Sequence, residues 1–495
     1  MSRPARRVQS LIGLTGVAVL FSAAVGPPVR AQDGELNRTE LISLNSASEQ
    51  GDRDSFTPSI SADGRWVAFA SRATDLVPRD RNNSEDVFVH DRASGETRLI
   101  SVSSSGAAAN DDSYKPAISG DGRFVVFQSD ATNLAAADNN SVSDIFVHEL
   151  ASGRTTRVSV DSDGRQGDGA SLNPTISHDG RVIAFHSYAD NLDADDANRD
   201  RDVFVHDRKS GRTARVGVRA AASSWDASLS SDGRYVAFTG VDISPRDANA
   251  AESVFVWDRT TGEEARVSVS SAAKPGERDS FSPSISGDGR YVAFASDASN
   301  LVAGDTNDAT DIFVHDRRTG ETLRVSIDSD GRQTVGDSHG PAISADGGYV
   351  AYWSRARDLV EQDRNERHDV FVRDLQTDQT RRLSVSSAGR QANGHSEAPA
   401  ISADGRFLAF ESSASNLVLC DRNNRDDVFV HGPSSCEGRL AGDANGDGTV
   451  DARDTDAFVM AVTDPCRYQA EFSHCDLLCN NDINGDGDVD FFDIG

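Results

Sequence analysis

Between residues 38 and 432 the apolar residues fall in short runs separated by turn residues, with none of the spacing of an amphipathic helix. The first unit shows the pattern. Pro58 to Ser61 leads into Asp63-Gly64, and Trp66-Val67-Ala68-Phe69-Ala70 follows as an almost wholly apolar run. Asp-Gly between two such runs signals a hairpin, because glycine accepts the positive φ of a tight turn. After an acidic stretch come Asp86-Val87-Phe88-Val89-His90-Asp91, a turn at Ser94-Gly95, and Thr97-Arg98-Leu99-Ile100-Ser101-Val102. Four strands are predicted per unit, and runs apolar at successive positions suit sheets covered on both faces.

The unit returns seven times. The glycine of its Asp-Gly pair falls at Gly64, Gly122, Gly180, Gly233, Gly289, Gly347 and Gly405, in steps of 58, 58, 53, 56, 58 and 58 residues. A fixed period of this length means one supersecondary unit copied, each copy burying its apolar face against its neighbours. The seventh copy stops after Val428-Phe429-Val430-His431, before a fourth strand, while Thr39-Glu40-Leu41-Ile42-Ser43 precedes the first copy and reads like a fourth strand. One orphan strand and one vacancy are what ring closure needs, and closure removes the exposed edges of an open stack. The predicted fold is all-β: a seven-bladed β-propeller closed by its N-terminal strand.

The repeated Pro-x-Ile-Ser-x-Asp-Gly-Arg-x-Val-Ala-Phe followed by Asp-Val-Phe-Val-His-Asp-Arg resembles the TolB-type, WD-repeat-like propeller repeat. The resemblance spans about residues 38 to 432 and concerns the fold; that family includes periplasmic binding proteins and propellers appended to peptidases.

Charge and the chain ends add to this picture. Asp and Glu number 79 against 50 Lys and Arg, a formal net charge of −29. Such a surface repels phosphate backbones, so nucleic acid is not an expected partner, whereas acidic oxygens suit hard cations such as calcium. Arg3, Arg6 and Arg7 precede an apolar run from Leu11 to Gly26, and Val29-Arg30-Ala31 offers the small residues of a cleavage site. Residues 1–31 are read as a signal peptide, and no later run is long enough to span a bilayer. The expected location is therefore extracellular or periplasmic, with surface attachment possible through the tail. Cys420, Cys436, Cys466, Cys475 and Cys479 all lie near the end, where some can pair in an oxidising compartment: Cys420 with Cys436, and Cys466 with Cys475 or Cys479.

Within the ring, Gly336-Asp337-Ser338-His339-Gly340 matches a hydrolase pattern, but Ser338 is the repeat's own serine and no hydrolase domain follows. His90, His148, His206, His315 and His431 share one repeat position, read as inter-blade packing rather than a metal ring. The loops Asp80-x-Asn82-x-x-x-Asp86 and their copies offer oxygens to calcium or close Asx-turns on themselves. Blade four is the least regular and carries Trp225 and Trp257, a candidate ligand contact.

The sharpest motif lies in residues 439–495. Asp443, Asn445, Asp447, Thr449, Asp451 and Asp454 occupy positions 1, 3, 5, 7, 9 and 12 of a calcium loop, with Gly448 at the sharp turn. A second loop in the same register has Asp482, Asn484, Asp486, Asp488, Asp490 and Asp493. Aspartate at position 12 is a short ligand, which implies affinities of roughly 10⁻⁵ to 10⁻³ M. Thr455 to Val462 is predicted as a short helix with Phe458, Val459 and Val462 on its apolar face. The pair of loops resembles a type I dockerin, a small helical module that binds cohesin domains; the second unit departs from that family in reaching Gly495 without its helix.

The sequence thus predicts a signal peptide (1–31), a propeller (32–438) and a dockerin-like Ca²⁺ module (439–495). The expectation is a monomeric, non-enzymatic binding or scaffold protein. Its propeller mouth would take a glycan or protein ligand, and its tail a cohesin-like or cell-surface partner. Two alternatives stand beside it: a polysaccharide-acting hydrolase, marked by unrepeated acidic or histidine side chains converging on the channel, and a purely structural surface protein.

Overall fold

The computed structural model describes residues 37–78, 80, 82–194, 196, 200–217, 223–241, 251–433 and 454–463. Its strands form seven four-stranded antiparallel sheets, one per sequence repeat. In blade one the strands are Ser55–Ile60, Trp66–Ser71, Asp86–Asp91 and Glu96–Leu99, running outward from the channel. Each innermost strand packs against those of both neighbours, and Ser55–Ile60 of blade one touches Ser396–Ile401 of blade seven, so the ring is closed. The closing strand is the expected one: Asn37–Leu41 pairs antiparallel with Asp427–Pro433, setting Glu40 opposite Val430 and Leu41 opposite Phe429.

The core lies between blades. Second and third strands are buried on both faces, as their unbroken apolar runs require. Phe69 and Phe88 face each other across the ladder with ring centroids 5.8 Å apart, and the pair recurs as Phe127–Phe146, Phe185–Phe204 and Phe294–Phe313. Each fully buried phenylalanine contributes about 2 kcal/mol of transfer free energy. The Asp-Gly turn is fixed by the same crowding. Gly64 has φ 72°, and a Cβ there would lie 2.2 Å from the Phe407 ring of blade seven.

Polar clasps tie neighbouring blades. Thr155 Oγ1 donates to the Val102 carbonyl of the preceding blade and lies 2.9 Å from His148 Nδ1. The hydroxyl proton is spent on the carbonyl, so Nδ1–H of the histidine donates. His90, His206, His315 and His431 meet Thr97, Thr213, Thr322 and Thr39 in the same way, and Arg373 replaces the imidazole at Thr380. The repeated histidine is thus an inter-blade group. Ser338 is likewise a frame residue, buried and bonded to Ser354 as Ser55 is to Ser71.

Innermost strands each carry a bulge. In blade one the register shifts between Phe56 and Ser59, and Thr57 adopts φ 49°. The same position is left-handed in all seven blades: Lys115, Asn173, Asp226, Ser282 and Ala398 hold it without a glycine, and only blade six uses Gly340. Left-handed backbone costs a non-glycine residue roughly 1–2 kcal/mol. The frame imposes it because the bulge bends the innermost strand around the channel.

Residues 1–31, read as a signal peptide, lie outside the described residues, among which no helix is long and apolar enough to cross a membrane. A helix spans Asp454–Thr463 where a short one is predicted, with Asp454, Ala457 and Ala461 buried. Its expected apolar face needs correction: Val459 is 51% exposed, and the small alanines face inward. Cys420 is disulfide-bonded.

Candidate functional site

The end of the channel that carries the second-to-third-strand loops is where the copies differ most. Frame positions keep their residue types, whereas the second residue of the innermost strand runs Phe56, Tyr114, Leu172, Trp225, Phe281, His339 and Glu397. Its partner on the second strand is Ala70, Gln128, His186, Thr239, Ala295, Trp353 and Glu411. A fixed scaffold with one variable stripe brings unlike side chains to one mouth.

Blades six and seven concentrate chemistry there. His339 packs with its ring 4.7 Å from that of Trp353 and tilted to it, Trp353 lies likewise tilted 4.8 Å from His368, and His368 meets His395 edge-on at 4.7 Å. Phe281 of blade five extends the row beyond His339. The Nδ1 atom of His368 bonds Glu397 Oε1, which orients the ring. His395 Nδ1 accepts the His368 backbone N–H at 3.2 Å, and Arg367 stands 3.2 Å from its Nε2. Donor atoms of His368, His395 and Glu397 lie within 4.8 Å of one another, and all three residues are half-buried. Two imidazoles and a carboxylate are borderline-hard ligands that suit zinc and its transition-metal neighbours. Burial, with His368 and Arg367 nearby, holds His395 below its ordinary pKa; burial does the same for His339.

The adjoining wall is acidic. Glu411 lies across the ladder from Glu397 and accepts the backbone N–H of the left-handed Thr57 at 2.7 Å. Burial pushes Glu411 up, reinforced by Glu397 and Asp426, and burial raises Asp426 and, across the channel, Asp226. Lys115 is the cation whose field reaches both Glu411 and Asp226. Tyr114 Oη bonds Asp130, Asn173 Nδ2 bonds Asp226, and the Arg201 guanidinium lies 4.0 Å over Trp225. The blade-four tryptophans therefore divide: Trp225 joins the mouth, and Trp257 packs against the core between blades three and four.

The loop aspartates are held within the fold. Asn140 Nδ2 bonds Asp144 and the Gly167 carbonyl, Ser159 bonds Asp144, and Arg157 reaches both Asp138 and Asp144. The tail residues Asp443, Asn445, Asp447, Thr449, Asp451, Asp482, Asn484, Asp486, Asp488, Asp490 and Asp493 lie outside the described residues; Asp454 opens the helix and is buried. His339, His368, His395, Glu397 and Glu411 are functional candidates that the reading of the repeat missed. Aligning the copies column by column finds them: His339, Glu397 and Glu411 stand in variable columns, and His368 and His395 take positions held in blade five and blade six by Thr310 and Asp337.

No protein-family model matches the chain, and no curated protein matches it in sequence. Solved propellers do resemble it. TolB from Acinetobacter baumannii is 17% identical with a TM-score of 0.37, over 65% of this chain and 63% of that one, less than two thirds of its length. An oligogalacturonate lyase from Vibrio parahaemolyticus is 13% identical with a TM-score of 0.47, over 80% of this chain and 96% of that one. The propeller domain of the Trilobed protease from Pyrococcus furiosus, described as having an open velcro topology, is 10% identical with a TM-score of 0.49, over 77% and 94%. These likenesses concern the fold alone.

The expectation of a non-enzymatic protein is corrected here. It rested on finding no acidic or histidine cluster converging on the channel, and such a cluster stands at blades six and seven. The solved propellers of this architecture also include a lyase and peptidase domains.

Proposed function

We propose that the protein works at the blade-six and blade-seven sector of its channel mouth, on a small oxygen-rich ligand, a glycan fragment being the class that fits the polar wall. The observation carrying this reading is the convergence of His368, His395 and Glu397 within 4.8 Å, beside the packed rings of His339 and Trp353. These three residues would hold a divalent transition-metal ion, which supplies Lewis acidity and open coordination positions to a ligand oxygen. Glu397 already lies against His368 Nδ1, where an ion would replace the shared proton, and Trp353 packs on the His368 ring. Glu411, Asp426 and Lys115 line the approach and hold protons and charge beside the ligand.

Titrating the full chain with Co²⁺ tests the assignment. The wild type should show the visible absorption of a nitrogen and oxygen ligand set, and His395→Ala and Glu397→Gln should each weaken binding at least tenfold while the fold is kept. Indistinguishable cobalt spectra and affinities in all three proteins would sink it.

The tail reading stays a separate proposal, supported by two oxygen-ligand loops in one register. Export, calcium binding and docking to a cohesin-like or cell-surface partner belong to it. A full chain carrying Asp443→Ala and Asp482→Ala should bind two fewer calcium ions; an undiminished count contradicts the ligand assignment.

A further inference from the structure

Four blades place an arginine between the two aspartates of the loop joining their second and third strands. Arg157 lies 3.7 Å from Asp138 and 3.3 Å from Asp144. Arg215 lies 3.7 and 3.2 Å from Asp196 and Asp202, and Arg324 3.2 and 3.3 Å from Asp305 and Asp311. Arg382 repeats the arrangement at 3.7 and 4.0 Å from Asp363 and Asp369. The carboxylates are almost wholly buried, so the guanidinium is the positive charge that lets them remain ionised. A glutamine from the following segment adds a second bridge: Gln166 Nε2 donates to Asp138 at 2.8 Å and to Asp144 at 2.7 Å.

Blade one keeps the aspartates and lacks both bridges. Its outer strand has the same register, Leu99 opposite Phe88 where Arg157 stands opposite Phe146. The glutamine position is Ala108, whose bridge to Val102 matches that of Gln166 to Val160. Blade seven also has leucine, Leu41, but Gln50 still spans Asp421 and Asp427 at 2.9 and 2.7 Å. In blade one Asp86 is fully buried and satisfied by Ser101 and Asn82. Asp80 is 7% exposed, and its Oδ1 has no hydrogen-bond partner. Among the described residues no lysine or arginine forms an ion pair with either carboxylate.

A buried carboxylate oxygen without a partner is costly, and four sibling copies show what the position takes: a cation. We propose that blade one binds a calcium ion between Asp80 and Asp86, in the place that arginine fills in blades two, three, five and six. Hard oxygen ligands and two negative charges select a divalent cation of this class, and waters complete the coordination. The site ties the second-to-third-strand loop of blade one to its third strand, as the guanidinium does elsewhere.

Equilibrium dialysis of the full chain against radioactive Ca²⁺ tests this, comparing wild type with Asp80→Asn and Leu99→Arg. Leu99→Arg gives blade one its siblings' internal cation. Each variant is expected to bind one ion fewer than wild type, the tail loops being untouched, and Leu99→Arg is expected to lose less of its Tm when EDTA is added. An unchanged number of bound ions in either folded variant overturns the proposal. Should Asp80→Asn fail to fold, Leu99→Arg decides alone.

Discussion

A single hydroxyl decides the protonation of each inter-blade histidine. Because Thr155 gives its proton to the Val102 carbonyl, His148 must present Nδ1–H, and the ring sits buried and neutral. Burial holds His90, His148, His186, His206 and His431 down at about 4. Unfolded histidine titrates near 6.5, so from there down to about 4 the unfolded chain takes up protons that the folded one refuses. Each such ring removes about 1.4 kcal/mol of stability per pH unit across that window. Asp86, raised by burial to about 6, and Asp427, raised to about 7, act the opposite way, the folded state protonating first. The histidines begin to titrate highest in the unfolded chain and so lead just below pH 6.5, while the other buried carboxylates, Glu411, Asp426 and Asp226 among them, offset part of the loss at lower pH. Below pH 3.8 the salt-bridged Asp91, Asp207, Asp258 and Asp316, held at about 2 by Arg65, Arg181, Arg234 and Arg290, add a further loss. Denaturant melts should show stability falling from pH 6.5 to pH 5.5; a flat or rising profile there would contradict the buried, neutral clasp.

At the scale of the strand, two devices give the ring its shape. The bulge at Thr57 and its six counterparts bends every innermost strand at one place, and closure joins Asn37–Leu41 to the last blade. Thr39 makes the closing strand equivalent to any other outer strand, since its Oγ1 donates to Val385 at 2.5 Å and meets His431 as Thr155 meets His148. Deleting residues through Leu41 would strip the outer strand from Asp427–Pro433 and leave a paired edge open. The expected result is a lower Tm in calorimetry together with concentration-dependent light scattering; a monodisperse protein with an unchanged Tm would show that closure contributes nothing. The closing strand was legible in the sequence because Thr39-Glu40-Leu41-Ile42-Ser43 repeats a pattern already seen in place. The bulge was not, because Thr57, Lys115 and Asp226 are residues that no propensity places at positive φ; only Gly340 hints at it.

For the whole molecule, repetition made the architecture readable and hid the site. Period, turn glycines and apolar runs specify seven sheets, since each copy must satisfy the same neighbours. A mouth is built from what the copies do not share, and His339, His368 and Glu397 meet only once blades six and seven have packed side by side. The histidine column drew attention through its regularity and proved to be inter-blade bonding, whereas the unrepeated histidines assemble beside a carboxylate. The same comparison of copies exposes blade one, where Leu99 and Ala108 stand in place of the arginine and glutamine. The most direct test of the mouth as the working site is anomalous diffraction from crystals soaked in Zn²⁺. A peak about 2.0–2.2 Å from nitrogens of His368 and His395 and from a Glu397 oxygen is the predicted result. Zinc found elsewhere on the protein, with no peak among these three residues, would contradict it.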